Sequence, residues 1–233
     1  MIDRSDDAAR ARFFARVSEA VGARPAKRPA PEYGDAIAFA REVATNGTAE
    51  AAALATASSS ATTEERLARF RERLEAAHGR LFTDAGALIS WLAAQGARHG
   101  YCDPALAPIF SPIVAATRAR PGAPSLTLET ELERARIDDY RFGITRAAGA
   151  IAETGTIIID DAHTSRRLAA LAPWIHVAVF APAQIHAHVA DAIAALGDDP
   201  NIIWCTGPSK TADVEGILIE GVHGPGEQIA LVV

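Results

Sequence analysis

The chain has 233 residues, 49% hydrophobic and 22% charged, enough apolar material for one sizeable core and too much for a disordered protein. Its net charge of −6 and pI near 5.6 argue against a nucleic-acid binder, which usually carries a basic domain. Two cysteines, Cys102 and Cys205, are too few for a disulfide framework, a zinc ribbon or an all-cysteine iron–sulfur site.

No apolar run approaches the ~18 residues of a membrane helix. The first residues, Met1-Ile2-Asp3-Arg4-Ser5-Asp6-Asp7, are acidic and lack the apolar stretch of a secretory signal. The expectation is a cytoplasmic protein without a membrane span.

In chain order, Phe13, Phe14, Val17 and Val21 recur at helical spacing and predict a helix over 4–21, ending at Gly22. Pro25, Pro29 and Pro31 then favour an extended linker. Residues 1–35 therefore read as an N-terminal helical arm, and 36–233 as the body. Residues 36–57 are alanine-rich and predict a helix, and the hydroxyl-rich 56–63 predicts a loop. Thr62 and Glu65 form an S/T-x-x-E capping box, with Leu67, Phe70 and Leu74 on one face of a helix over 63–77.

Short strands then alternate with helices. Strands are predicted at 79–83, 98–102 and 125–128, and a helix at 84–95 with Leu88, Ile89 and Leu92 inward. The helical stretch 103–116 is expected to break at Pro108 and Pro112. Further on, 142–145, 150–160, 174–181, 202–206, 214–220 and 228–233 read as strands, and 182–196 as one helix. The class is α/β: a mixed, largely parallel sheet with flanking helices, plus the arm.

Three glycine-bearing motifs are candidate sites. In Ala152-Glu153-Thr154-Gly155-Thr156 a carboxylate interrupts an apolar strand beside a glycine. Glu153 either serves as acid, base or nucleophile, or bonds a neighbouring loop and holds the turn. Thr206-Gly207-Pro208-Ser209-Lys210-Thr211-Ala212-Asp213 follows a strand, where open α/β sheets bind ligands. Gly207, Ser209, Lys210, Thr211 and Asp213 suit a carboxylate or phosphate, or else a turn that bonds its own backbone. In Gly221-Val222-His223-Gly224-Pro225-Gly226, His223 is either a proton carrier or a turn histidine. Lys210 stands out because the 23 basic residues include only two lysines. Glu153, the 207–213 turn and His223 are expected to share one cleft, with Glu153 close enough to Lys210 to pair with it. Asp160, Asp161 and His163 form a polar loop that either binds a cation or is simply solvated. His186 and His188, two apart on the expected helix, would face different ways.

The order Gly143-Ile144-Thr145, Ala152 to Thr156, Leu171-Ala172-Pro173, Thr206 to Glu215 and Gly221 to Pro225 resembles the LUD-domain family, and within it the lactate utilisation protein C subgroup. The resemblance is sharp over 142–233 and loose over 36–141. It implies a fold similar to ribose-5-phosphate isomerase and the CoA transferases. It also implies a part in oxidising L-lactate to pyruvate beside partner subunits that carry the iron–sulfur clusters. This chain would then need no cofactor of its own and would assist assembly or bind a small carboxylate. The alternative is a CoA-transferase-like enzyme with Glu153 as acyl acceptor, with Thr154 and Gly155 beside it. The resemblance assigns no catalytic residue.

Overall fold

The computed structural model describes residues 11, 12, 14–16, 19, 61–119, 126–196, 201–212 and 218–233. The chain divides into two units, Met1–Leu54 and Ala55–Val233. In the first, the described residues are helical. The proline linker, the alanine-rich 36–57 and Asp213 lie outside the described residues.

The second unit begins with α1 (Thr63–Ala76). The Thr62 hydroxyl accepts from Glu65 N–H at 3.2 Å, and Glu65 accepts from Thr62 N–H at 2.7 Å, so the capping box closes. Strand β1 (Arg80–Phe82) and α2 (Ala85–Ala94) follow, the helix capped by Asp84 and burying Leu88, Ile89 and Leu92. Next come β2 (His99–Cys102), α3 (Ala107–Arg118) and β3 (Thr127–Glu129). Pro108 lies in the first turn of α3, where no N–H is missed, and the helix continues through Pro112 rather than breaking. The continuation has a packing reason: Phe110 and Val114 are buried on either side of Pro112.

The remaining strands are β4 (Phe142–Arg146), β5 (Gly149–Ile151), β6 (Thr156–Ile159), β7 (Ile175–Phe180), β8 (Ile185–His186), β9 (Ile203–Cys205), β10 (Lys210–Ala212), β11 (Leu218–Glu220) and β12 (Glu227–Val232). Two short helices are α4 (Arg167–Leu171) and α5 (Val189–Ala195). A six-stranded sheet runs β1-β12-β7-β4-β2-β3, and every neighbouring pair in it is parallel. A four-stranded sheet runs β8-β5-β6-β9, and β10 and β11 form an antiparallel ribbon.

Alternation along the parallel strands builds two cores. Ile175, Val177 and Val179 of β7 join Phe142, Ile144, Ile229 and Leu231 against α2 and α3. Ala178 and Phe180 join Ala230 and Val232 against Phe70 and Leu74 of α1 and against the four-stranded sheet. The parallel sheet is thus covered on both faces, as βαβ connections require.

Two expectations are corrected here. The apolar run 150–160 is a hairpin, not one strand: it turns at 152–155, where Gly155 has φ +69°. The run 182–196 is not one helix. Pro182–Gln184 is a single 3₁₀ turn, and Ile185 is buried where β8 pairs with β5. His186 therefore lies on a strand, and His188 is the N-cap of α5.

Candidate functional site at the carboxyl ends of the parallel strands

Two of the glycine-bearing motifs meet at the C-terminal end of α1, and the third adjoins the second. Glu153 lies in the β5–β6 turn, where its Oε2 accepts from Val189 N–H at 3.2 Å and sits 3.2 Å from His188 Nδ1. It therefore caps the start of α5. The Val189 N–H, against an opposing burial effect, holds its carboxyl below the ordinary range, and His188 adds to this.

Thr154 and Thr156 hydroxyls lie 2.6 Å apart, and Thr156 meets Thr206 at 2.7 Å, joining the first motif to the second. A Cβ on Gly155 would stand 2.4 Å from Leu74 N, and one on Gly207 would stand 2.1 Å from Ala77 O. Both glycines are left-handed, at φ +69° and +74°, so each allows a turn to seat directly on the helix end.

Ser209 N–H donates to Pro225 O and Gly221 N–H donates to Ser209 O, each at 2.8 Å, so the His223 loop adjoins this turn. His223 itself is exposed. Lys210 Nζ lies 3.4 Å from Glu220 Oε1, which also meets His78 Nδ1 at 2.8 Å. Thr211 pairs with Ile219 in the ribbon. The geometry thus brings Glu153–Thr156 to Thr206–Gly207, and Ser209 to the 221–226 loop. It does not pair Glu153 with Lys210: Glu153 takes His188 and Lys210 takes Glu220.

A different set of groups occupies the carboxyl ends of β2 and β4. Asp103 directly follows β2, and its side chain is 1% exposed. Its Oδ1 accepts from Ala105 N–H at 2.9 Å and its Oδ2 from Arg146 Nε at 3.2 Å. Burial pushes this carboxyl up, but Ala105 N–H, the Ser165 hydroxyl and Arg146 together hold it below the ordinary range. Ser165 Oγ in turn meets Tyr101 OH at 2.7 Å. The Thr164 hydroxyl donates to Arg146 O at 2.7 Å, pinning the 160–165 loop to the end of β4.

The chain Tyr101–Ser165–Asp103–Arg146 holds one guanidinium through Nε and leaves its two terminal nitrogens without a protein partner among the described residues. A planar, fixed guanidinium at the edge where parallel strands end is suited to a carboxylate. Sequence reading passed these residues over. The available signal was positional: Asp103 is the first residue after one predicted strand and Arg146 the first after another.

Beneath this edge, His176 is wholly buried. Its Nε2 meets Thr145 Oγ1 at 3.0 Å and its Nδ1 meets the Gln228 amide nitrogen at 3.0 Å, tying β4, β7 and β12 together. Burial lowers its pKa to about 4, so the ring is neutral. Cys102 and Cys205 are free thiols pushed up by burial to about 12 and about 11. In the 160–165 loop, Asp160 bonds His163 and Asp161 bonds Arg167 and Asn201. Among the described residues no group of three or more His, Cys, Asp or Glu is arranged to hold a metal ion. No helix among them is long and apolar enough to cross a membrane.

The LUD domain model matches residues 117–233, half of the chain. The chain belongs to the LUD-domain family. Within the matched segment fall Arg146, Ser165 and every motif named above from Gly143 onward; Tyr101 and Asp103 precede it. The LUD chain is 36% identical over 110 residues to "Lactate utilization protein C" of Deinococcus radiodurans, covering 45% of this chain and 52% of the relative. It is 29% identical over 106 residues to the protein of the same name from Bacillus licheniformis, covering 42% and 44%. The aligned segment thus spans about half the length of these curated relatives. These names agree with the resemblance to the lactate utilisation protein C subgroup. A solved structure, a DUF162 family protein from Deinococcus radiodurans, shares 25% identity with a TM-score of 0.42, covering 74% of this chain and 99% of that one.

Proposed function

We propose that this LUD protein is a non-redox subunit of a lactate-oxidising system and binds a small carboxylate at Arg146. The names of its relatives support a role in lactate utilization. The observation that carries the finer reading is the guanidinium of Arg146, held on the buried carboxylate of Asp103 where β2 and β4 end.

Arg146 would clamp the carboxylate through its terminal nitrogens, while Asp103 fixes the plane of the fork and Ser165 fixes Asp103. Arg146 replaces Lys210 as the carboxylate-binding cation in this reading, because Lys210 is engaged by Glu220. Two thiols held protonated, Cys102 buried and Cys205 half-buried, make poor cluster ligands, which supports placing the electron carriers on iron–sulfur partner subunits. The CoA-transferase alternative would require Glu153 to leave the N-terminus of α5, where it accepts from Val189 N–H.

Isothermal titration of L-lactate and pyruvate tests this reading. Saturable binding is expected, weakened at least ~10-fold in Arg146→Ala and partly kept in Arg146→Lys. Absence of saturable binding, or unchanged affinity in Arg146→Ala, would overturn it.

A further inference from the structure

A concave site lies at the 160–165 loop, which contributes Asp160 and His163 to it. It is a cleft of about 320 Å³, walled by Ala148, Ala183, Ala195 and Leu196 and carrying the polar groups of Asp160, His163, Gln184 and His186. That volume is at the lower end for ligand sites and suits a small molecule.

Asp160 is buried, and its two carboxylate oxygens lie 3.0 and 2.8 Å from His163 Nδ1. Asp160 Oδ1 also accepts from the His163 backbone N–H at 2.8 Å. A carboxylate on Nδ1 fixes the proton there and leaves Nε2 as the proton acceptor. Nε2 has no protein partner among the described residues. The rest of the loop is anchored: Asp161 by Arg167 at 2.7 Å and by Asn201 at 2.8 Å, Thr164 by Arg146 O and Ser165 by Tyr101. The imidazole is therefore held in place before any ligand arrives.

The opposite groups differ. Gln184 is engaged on both sides, its Oε1 accepting from Ala181 N–H at 2.8 Å and its Nε2 donating to Ala148 O at 3.1 Å. It shapes the wall and reads no ligand. His186 has no side-chain hydrogen bond among the described residues. Burial, with Arg66, holds it below its ordinary value against Asp191, so it is a neutral ring that can donate an N–H. Among the described lining residues none is a lysine or arginine, and Asp160 is the one carboxylate. No guanidinium or ammonium lines the described wall to clamp an anion, in contrast to the Arg146 site.

We infer that this cleft is a proton-transfer site for small uncharged ketones or aldehydes, with His163 as base and His186 as donor to the carbonyl oxygen. The proton leaves the carbon next to the carbonyl for His163 Nε2. The C–H electron pair forms the new C=C bond, and the carbonyl pair moves to oxygen, giving an enolate that accepts from His186. Asp160 stabilises the imidazolium. Return of a proton, or of a deuteron after exchange with solvent, restores the carbonyl compound, so no oxidant or reductant is required. A positioned base with a neutral imidazole donor is an established pairing for such chemistry. This inference goes beyond the carboxylate reading and does not depend on it.

The test follows deuterium incorporation into hydroxyacetone by proton NMR, with the full chain in D2O containing a chelator. Exchange faster than in buffer is expected. His163→Asn should fall to the buffer rate, a loss on the order of 100-fold or more if the base supplies the usual factor. Asp160→Asn should slow exchange, since Nδ1 loses the carboxylate that orients the ring. Ala195→Phe, at an exposed position on the cleft wall, should abolish exchange without lowering the melting temperature. His78→Asn, distant in role, should exchange like the parent. Wild-type exchange at the buffer rate, full activity in His163→Asn or Ala195→Phe, or equal loss in His78→Asn would each overturn the inference. Lactate titration of the same samples separates this outcome from failure of the Arg146 reading.

Discussion

The end of α1 and the carboxyl ends of β2 and β4 both collect polar residues, but they use them differently. At α1 the polar and glycine residues satisfy backbone: Glu153 caps α5, and Gly155 and Gly207 let two turns touch the helix terminus. At the strand ends, side chains bond side chains, and the chain Tyr101–Ser165–Asp103–Arg146 finishes in a half-exposed guanidinium. Polar residues flanked by glycine thus mark close packing here, while the groups with unfilled bonding capacity follow plain apolar strands. Substitutions at the first region should act on stability, and those at the second on binding.

The largest effect is expected for Gly207→Val. The new Cβ would meet Ala77 O at 2.1 Å in a left-handed backbone that valine strongly disfavours. A loss of roughly 4 kcal/mol or outright misfolding should appear in urea denaturation. A stable Gly207→Val with impaired lactate binding would instead make this turn a ligand site.

Next in size is a pH effect beneath the second region. His176 titrates near its ordinary value of 6.5 when unfolded and at about 4 when folded. Above the upper value neither state takes the proton, so stability is full. Between the two the unfolded state alone is protonated, and stability falls by roughly 3 kcal/mol in all as pH drops. His176→Gln should flatten that part of the curve of unfolding free energy against pH. An unchanged slope would mean that this ring is not the group responsible.

Arg146→Ala should cost less, about 1–2 kcal/mol, because Asp103 is buried but Arg146 is 41% exposed and partly screened. Asp103→Asn should retain the fold while loosening the guanidinium, weakening lactate binding several-fold in the same titration. Smallest of all, Lys210→Ala should change stability by under ~1 kcal/mol and leave lactate affinity unaltered, since its ion pair with Glu220 is near the surface. A large affinity loss in that variant would move the carboxylate seat to the ribbon and reverse the comparison.

Much of the fold follows from local signals. The capping box at Thr62 and Glu65, the inward trio Leu88, Ile89 and Leu92, and the apolar strands 142–146 and 175–180 are each set by residues within one turn or one strand. Where reading by period failed, a neighbour distant in sequence had decided. Ile185 and His186 sit in a helix-like run yet pair as a strand with β5, and the apolar run 150–160 folds at Gly155 because α1 waits against it.

The sequence by itself determined the α/β class, the family and the start and facing of the main helices, because periodicity, caps and turn residues act over a few neighbours. Only the tertiary structure decided which polar residues meet. Asp103 and Arg146 are 43 positions apart, and Tyr101 and Ser165 are 64. Parallel pairing of β2 with β4 makes the first pair adjacent, and the Thr164 bond to Arg146 O brings Ser165 to Tyr101 in the second. Residue type announced Glu153 and Lys210, but sheet order gave Glu153 to His188 and Lys210 to Glu220. A side chain's chemistry depends on which partners fill its hydrogen bonds, and those partners are brought in by strand pairing that no local stretch of sequence contains.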